Sequence, residues 1–92
     1  MKIRFYATLR RVIGGSQIEV ELAEGATIRE LLADVFQKYP ALKAEMMDEK
    51  GELYQHVHIF VNGRDAPFLE GGLDASLSRE DMIGIFPAVG GG

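Results

Sequence analysis

The sequence predicts an α+β fold in which one main amphipathic helix packs on one face of a mixed four- or five-stranded sheet. Three observations lead to this prediction. Apolar and polar residues alternate near both ends of the chain, a segment with helical spacing lies between them, and an Asn62-Gly63 pair follows a further alternating segment. A chain of 92 residues supports one hydrophobic core. We therefore predict one domain over residues 1–87 and a flexible glycine tail over residues 88–92.

The first two predicted strands form a hairpin. Apolar residues alternate with polar ones over residues 2–9, and they alternate with glutamates over residues 18–22. The turn residues Gly14-Gly15-Ser16 lie between the two segments. Arg10 and Arg11 follow the first segment, where we expect a solvated turn, with charged contacts to a partner as the other interpretation.

The predicted main helix begins at the capping-box sequence Thr27-Ile28-Arg29-Glu30. Its apolar residues recur at steps of three and four and form one face, comprising Ile28, Leu31, Leu32, Val35, Phe36 and Tyr39. Pro40 is predicted to end this helix. Residues 41–55 carry a weaker pattern, which fits a short helical turn followed by an exposed loop over residues 48–52.

The remaining strands are predicted in the C-terminal third. Residues 57–61 alternate in hydrophobicity, and the Asn62-Gly63 turn that follows predicts a short return strand over residues 64–66. Further turns are expected at Gly71-Gly72 and over residues 76–81, and a last strand is expected around residues 83–86. One helix can cover only one face of such a sheet. The resulting element order is that of a β-grasp (ubiquitin-like) roll.

The chain sequence ends in Gly90-Gly91-Gly92, directly after a predicted strand and Pro87. Glycine has no Cβ atom, so a tail of three glycines can fit into a narrow channel in another protein. The reactive group at the tip is the α-carboxylate of Gly92, which becomes electrophilic once activated, for example as a mixed anhydride with AMP. From Pro87 the tail would reach roughly 20 Å when extended. A frayed terminus without function is the competing interpretation.

Aromatic residues are predicted on the sheet face away from the helix. In a β-grasp sheet the first and last strands are central, and the third strand lies beyond the last. Tyr6, His58, Phe60 and Phe86 would then point outward, with Pro87 beside them at the exit of the tail. Contiguous exposed aromatics usually mark a partner-binding surface. The other interpretation is that loops of the same chain cover them.

The composition limits the classes of partner and site. The chain has no cysteine, hence no disulfide, thiolate metal site or cysteine nucleophile. It shows neither a signal peptide nor an apolar run of membrane-spanning length, so we expect a cytoplasmic protein without membrane association. A net charge of −4 disfavours nucleic acid and favours a partner with a basic face. His56 and His58 have a spacing that can bind metal, but no third ligand is evident and we predict no metal site.

Several motifs together resemble one protein family. They are the opening Ile3-Arg4-Phe5-Tyr6-Ala7-Thr8-Leu9-Arg10, the turn Val61-Asn62-Gly63-Arg64, Gly72-Leu73-Asp74, and Ile85-Phe86-Pro87 leading to terminal glycines. In these motifs the chain resembles MoaD-type proteins, the small subunits of molybdopterin synthase within the ubiquitin-like sulfur-carrier group. Ala88 stands where this family usually has a second proline, and Gly90 where it has another small residue, so we expect a looser tail.

The resemblance implies a cosubstrate without catalytic machinery or bound cofactor of its own. An E1-like adenylating enzyme would use ATP to activate the Gly92 carboxylate, and a sulfur donor would convert the adenylate to a thiocarboxylate. The large subunit of molybdopterin synthase would then receive the sulfur for the pterin dithiolene of the molybdenum or tungsten cofactor.

Other functions remain open from the sequence. A protein modifier joined through Gly92 to lysines would use the same adenylate, so the tail cannot distinguish it from a sulfur carrier. A carrier for thiamin or an amino-acid pathway is a third hypothesis, which Phe86-Pro87 and the chain length disfavour. An unrelated binding module would require the glycines to be without function.

Overall fold

The computed structural model describes residues 1–87 and contains a five-stranded mixed sheet with helices on one face. The strands are β1 (Lys2–Phe5), β2 (Gln17–Glu19), β3 (Val57–Val61), β4 (Arg64–Asp65) and β5 (Ile83–Pro87). Their order across the sheet is β2-β1-β5-β3-β4. The central pair, β1 and β5, is parallel, and the other neighbours are antiparallel. The predicted β-grasp roll, with the first and last strands adjacent at its centre, is confirmed.

Three helices accompany the sheet within residues 1–87. They are α1 (Leu9–Ile13), α2 (Ile28–Lys38) and α3 (Pro40–Met46), and two 3₁₀ turns follow β4 at Ala66–Phe68 and Gly72–Asp74. The main helix α2 begins at the predicted capping box. The Glu30 N–H donates to Thr27 Oγ1 at 3.1 Å, and the Thr27 N–H donates to Glu30 Oε1 at 2.9 Å. Two backbone donors that lack partners within the helix are thereby satisfied.

The prediction of a first strand reaching Leu9 is wrong. β1 ends at Phe5, because Ala7 adopts a positive φ of 54° and the chain then turns into α1. Leu9 is nevertheless buried, since its side chain enters the core from a helix. The four-residue step from Phe5 to Leu9 fits a helix as well as a strand, which is why alternation misled the prediction. β1 and β2 are antiparallel neighbours as expected, but α1 connects them and β2 ends at Glu19.

Pro40 plays a different part from the one predicted. It follows the end of α2, as expected, but it is also the first residue of α3. Proline is tolerated in a first helical turn because the N–H it lacks has no partner within the helix there. The short helical turn expected after Pro40 is a seven-residue helix, and it buries Leu42 and Met46 completely.

The core lies between the helices and the inner face of the sheet. Alternate strand residues supply the sheet side, including Ile3 and Phe5 of β1 and Ile83 and Ile85 of β5, all buried. The helical side comes chiefly from the apolar face of α2. Residues between these buried positions point to the opposite face of the sheet. Within residues 1–87 no helix is both long enough and apolar enough to cross a membrane.

Candidate partner-docking face

The outer face of the sheet, away from the helices, combines aromatic and basic side chains. We define the outer face by the outward residues of three strands and of the positions next to them. They are Lys2 and Arg4 of β1 with Tyr6 directly after it, Gly84 and Phe86 of β5 with Met82 directly before it, and His58 and Phe60 of β3. The register places Arg4 beside Gly84, and Gly84 beside Phe60. His58 lies beside Phe86. These strands therefore bring together residues that are far apart in the sequence.

Three aromatic rings of the outer face pack on one another. The rings of Tyr6 and Phe86 stack with 4.1 Å between centroids and 4° between planes, and Phe60 meets Phe86 edge-on at 5.3 Å. Phe86 is 37% exposed, while Tyr6 and Phe60 are partly exposed. Offset-stacked and edge-to-face pairs are favourable arrangements for aromatic side chains. The three rings therefore form one cluster that neighbouring loops of residues 1–87 leave accessible.

Arg10 extends this aromatic cluster beyond the end of β1. Its guanidinium lies 5.5 Å from the centroid of the Tyr6 ring, and its Nε donates a hydrogen bond to the Phe5 carbonyl at 2.9 Å. The sequence analysis expected Arg10 and Arg11 in a solvated turn. Both lie instead in α1 with exposed side chains, and Arg10 is anchored to the backbone and to an aromatic ring. A cation over a ring face is attracted by the ring quadrupole.

The two histidines have separate surroundings. His58 Nδ1 lies 2.8 Å from Asp65 Oδ2, whereas His56 precedes β3 and stacks with Tyr54 at 5.3 Å between centroids. Across residues 1–87 no group of three His, Cys, Asp or Glu side chains is arranged to hold a metal ion. Sequence reasoning missed the Asp65 partner. The signal was the Asn-Gly turn, which sets a register that pairs Asp65 with Phe60 and brings it diagonally near His58.

An open concavity of about 830 Å³ lies on the outer face. Gly84 lines it together with Arg4, Phe60 and Phe86, and the acidic residues Glu80 and Asp81 line it as well. A Cβ atom at Gly84 would lie 3.4 Å from Tyr6 Cε2 and 3.9 Å from the nearest Phe86 atom. The sequence analysis did not identify Gly84. A glycine at an outward position within a strand is nevertheless a recognised signal of close approach by another group.

The predicted tail residues lie outside the described part of the chain. Gly90, Gly91 and Gly92, and the predicted domain boundary after residue 87, therefore stay predictions. Pro87 is the last described residue, lies opposite Val57 of β3 and directly follows Phe86. The partner-binding role predicted for Tyr6, Phe60, Phe86 and Pro87 likewise remains a prediction. Tyr6, Phe60 and Phe86 meet on one surface, whereas Pro87 alternates with Phe86 along β5 and pairs with the buried Val57, so it does not join them on the outer face.

Comparison with known proteins identifies the family. A sequence model described as the ThiS family matches residues 3–92. The chain belongs to the ThiS family. Members of this ubiquitin-like family include sulfur carriers and protein modifiers, so the resemblance read from the sequence motifs is confirmed at the level of the family.

Among the curated relatives of this ThiS-family chain are a modifier and a sulfur carrier. It is 32% identical over 92 residues to small archaeal modifier protein 3 of Haloferax volcanii, and the alignment covers 100% of this chain and 98% of the relative. It is 34% identical over 87 residues to the sulfur carrier protein CysO of Mycobacterium tuberculosis, covering 92% of this chain and 91% of the relative. Both alignments extend over nearly the whole of each protein.

Solved structures of three other proteins share the fold. SAMP1 from Haloferax volcanii has a TM-score of 0.85 at 28% identity, covering 99% of this chain and 97% of the other. The Amycolatopsis orientalis BexX/CysO complex has a matching chain with a TM-score of 0.79 at 34% identity, covering 99% of this chain and 98% of the other. A Pyrococcus furiosus protein provisionally named molybdopterin converting factor, subunit 1, has a TM-score of 0.73 at 32% identity, covering 96% and 95%.

Proposed function

We propose that this chain is a sulfur carrier whose Gly92 carboxylate is adenylated by an E1-like enzyme and converted to a thiocarboxylate. The observation that carries the proposal is that the ThiS-family match covers residues 3–92 and so extends to Gly92. The aromatic cluster of the outer face supports it, because Phe86 lies one residue before Pro87, after which the predicted tail begins. A partner seated on this cluster would hold the start of the tail.

The proposed chemistry consists of an adenylyl transfer followed by an acyl transfer. A Gly92 carboxylate oxygen attacks the α-phosphorus of ATP, pyrophosphate leaves, and the acyl adenylate forms. A donor of sulfur at the hydrosulfide level then attacks the acyl carbon, and AMP departs with the oxygen that joined it to the carbon. The products are AMP and a thiocarboxylate, which is a soft nucleophile. The adenylating enzyme supplies the groups that bind ATP, and this chain supplies the acyl group and the docking surface.

For the acceptor of the sulfur we propose the dithiolene of molybdopterin, made with the large subunit of molybdopterin synthase. The MoaD-type motifs in the sequence and the similarity to the Pyrococcus furiosus protein support this assignment. Because activation consumes ATP, we place the reaction in the cytoplasm. The similarity to CysO supports an alternative in which the same chemistry supplies sulfur to another biosynthetic pathway.

A second candidate function is protein modification. The full-length similarity to small archaeal modifier protein 3 is the observation that favours it. In that case a lysine amine of a target attacks the acyl adenylate, AMP leaves, and an isopeptide bond forms at Gly92. Both functions share the adenylation step, so they differ only in the nucleophile that follows.

Intact mass spectrometry of the protein purified from its native host tests these proposals. A sulfur carrier is expected to show a form in which one oxygen is replaced by sulfur. A modifier is expected to show conjugates whose masses equal the sum of two proteins less one water. If neither form is detected, in cells starved of sulfur-containing cofactors or in rich medium, both functions are contradicted.

Deletion of Gly91 and Gly92 tests the adenylation step directly. We expect ATP–pyrophosphate exchange by the E1-like enzyme of the same organism to disappear. The thermal midpoint is expected to stay nearly unchanged, because terminal residues usually contribute little to stability. Exchange with the truncated protein at the parent rate would contradict the proposal.

A further inference from the structure

We infer that Asn62 is a site of spontaneous deamidation, at a rate set by its hydrogen bonds to Asp81 and Met82. Asn62 is the only asparagine of the chain, and a glycine follows it. Glycine has no side chain to hinder the backbone nitrogen that attacks in this reaction. The co-reactant is water, and the site is independent of the chemistry proposed at Gly92.

The reaction requires neither an enzyme nor a cofactor. The Gly63 backbone nitrogen forms a bond to Asn62 Cγ, the Cγ–Nδ2 bond breaks, and the proton of the attacking nitrogen passes through water to the departing ammonia. Water then opens the cyclic imide at one of its two carbonyl carbons. One opening gives aspartate, and the other gives isoaspartate, whose main chain is longer by one carbon.

The turn itself leaves Gly63 open to this reaction. Asn62 and Gly63 both have positive φ, 52° and 84°, and the Asn62 side chain is exposed. No atom lies within 4 Å of the position that a Cβ atom of Gly63 would occupy. Steric shielding of the glycine therefore does not protect the site, and any protection has to come from the contacts of the Asn62 side chain.

Two hydrogen bonds hold the Asn62 amide against the residues that lead into β5. Asn62 Nδ2 donates to Asp81 Oδ1 at 2.9 Å, and the Met82 N–H donates to Asn62 Oδ1 at 2.9 Å. The Asn62 N–H also donates to the Met82 carbonyl at 2.8 Å, so the side chain extends the pairing of β3 with β5 by one residue. Attack makes Cγ tetrahedral and releases Nδ2, so the bond to Asp81 has to break.

The carboxylate of Asp81 is fixed from its other side. Its Oδ2 accepts a hydrogen bond from the Ser78 N–H at 2.8 Å, and it forms no ion pair with any residue in the described range 1–87. An aspartate at position 62 would replace the donor Nδ2 by an oxygen, and an ionised carboxylate only accepts. Two acceptors of like charge would then face each other, with Glu80 directly before Asp81. Deamidation is therefore expected to weaken the connection between the β3–β4 turn and the start of β5.

The rate of deamidation tests the protective bonds in the full-length chain. Asp81→Asn keeps one oxygen for the Ser78 N–H and removes the acceptor for Asn62 Nδ2. Asp74→Asn is the matched control, because Asp74 accepts from Arg29 and not from Asn62. Trypsin cleaves after lysine and arginine, so residues 51–64 form one peptide that contains Asn62 but neither substituted position. Mass spectrometry of this peptide follows the reaction, in native buffer and in concentrated guanidinium chloride, with circular dichroism to verify folding.

We expect the folded parent to deamidate about tenfold or more slowly than the unfolded parent, a factor equivalent to one hydrogen bond to a charged group. Folded Asp81→Asn should react about tenfold faster than folded Asp74→Asn, since that bond is lost. All three unfolded chains should react equally. Equal rates for the folded and unfolded parent, equal rates for the two folded variants, or no reaction in the unfolded parent would each overturn the inference.

The thermal midpoint tests the consequence of the reaction. Asn62→Asp reproduces one product, and its midpoint is expected to lie several degrees below that of the parent. Combining Asn62→Asp with Asp81→Asn exchanges donor and acceptor, so the double variant should regain most of this loss. An unchanged midpoint in Asn62→Asp, or a double variant less stable than both single variants, would overturn the expected weakening at β5.

Discussion

The rings of Tyr6 and Phe86 lie parallel, 4.1 Å apart between centroids, on neighbouring segments from opposite ends of the chain. Tyr6 immediately follows β1 and Phe86 is the penultimate residue of β5. A backbone bond from the Tyr6 N–H to the Ile85 carbonyl, at 3.1 Å, fixes the two segments side by side. The stack therefore joins the beginning of the fold to the residue that precedes Pro87.

Substitution of Phe86 is expected to affect partner binding, and substitution of Ile85 is expected to affect folding stability, because adjacent strand residues point to opposite faces. Phe86→Ala should weaken binding to the adenylating enzyme by about 2 kcal/mol or more. Ile85 is fully buried, so Ile85→Ala should instead lower the free energy of unfolding by about 2–5 kcal/mol. Isothermal calorimetry and urea denaturation measure the two effects.

Phe68 offers a control for this pair, since it is 78% exposed, lies in a 3₁₀ turn and does not line the concavity of the outer face. Phe68→Ala should change neither quantity appreciably. A large loss of stability in Phe86→Ala with unchanged affinity would show that Phe86 serves the fold and not the partner.

Substitutions at Gly91 and Gly90 are expected to affect adenylation differently if the tail passes through a narrow channel in the adenylating enzyme. Gly91→Val should block adenylation by steric exclusion, whereas Gly90→Ala should be tolerated, because resembling proteins carry a small side chain there. The initial rate of ATP–pyrophosphate exchange measures both. Similar mild effects at the two positions would indicate a tail that is merely flexible, since each substitution stiffens the chain only slightly.

Thr27 is expected to stabilise α2 through its capping hydrogen bond. Thr27→Ala should cost about 1 kcal/mol, and a loss of that size lowers the thermal midpoint of a domain of this size by about 4–8 °C. Thr8 is a matched control, because it occupies the N-cap of α1 without a side-chain capping bond. Scanning calorimetry should therefore show a smaller shift for Thr8→Ala. Equal shifts would mean that the capping bond contributes nothing.

Glu19 is expected to make stability depend on pH in the acid range. A hydrogen bond from the Met1 ammonium, 2.9 Å away, lowers the pKa of the Glu19 carboxyl below its usual value. A lowered folded-state pKa stabilises the fold above the unfolded-state pKa, and this contribution is lost as the pH falls through the folded-state value. The effect is small because the carboxylate is exposed.

Urea denaturation over a pH series measures this dependence. The difference in free energy of unfolding between the parent and Glu19→Gln should be largest near neutral pH and should vanish in acid. Glu21→Gln changes the charge equally and serves as a control. A difference between the parent and Glu19→Gln that persists in acid would assign the effect to packing instead of ionisation.

The strands that sequence analysis located well are those with one buried face. Val57–Val61 alternates regularly, and its bounds as a strand agree with the prediction. The short strand after the Asn-Gly turn was also anticipated, because that dipeptide accepts positive φ at both turn positions. Here local chemistry and the hydrophobic pattern agree, so one conformation is favoured.

Sequence analysis failed where one pattern fits two structures. Leu9 continues the strand-like alternation from Phe5, but a step of four residues also fits one turn of a helix. The positive φ of Ala7, which ends the strand, decides in favour of the helix. Pro40 likewise ends one helix and is compatible with the start of another. The aromatic residues of the outer face were anticipated from alternation. Gly84 was missed because its significance lies in the neighbours that the sheet register brings around it.

The parallel pairing of β1 with β5 has a mechanical consequence. A pull on the chain beyond Pro87, against a fold held at its N-terminal strand, acts along both strands in opposite directions. Such a load shears the whole β1–β5 ladder at once, so its hydrogen bonds resist together and do not separate one by one as at a hairpin end. Under such a load the central β1–β5 pairing must break before the rest of the sheet can separate.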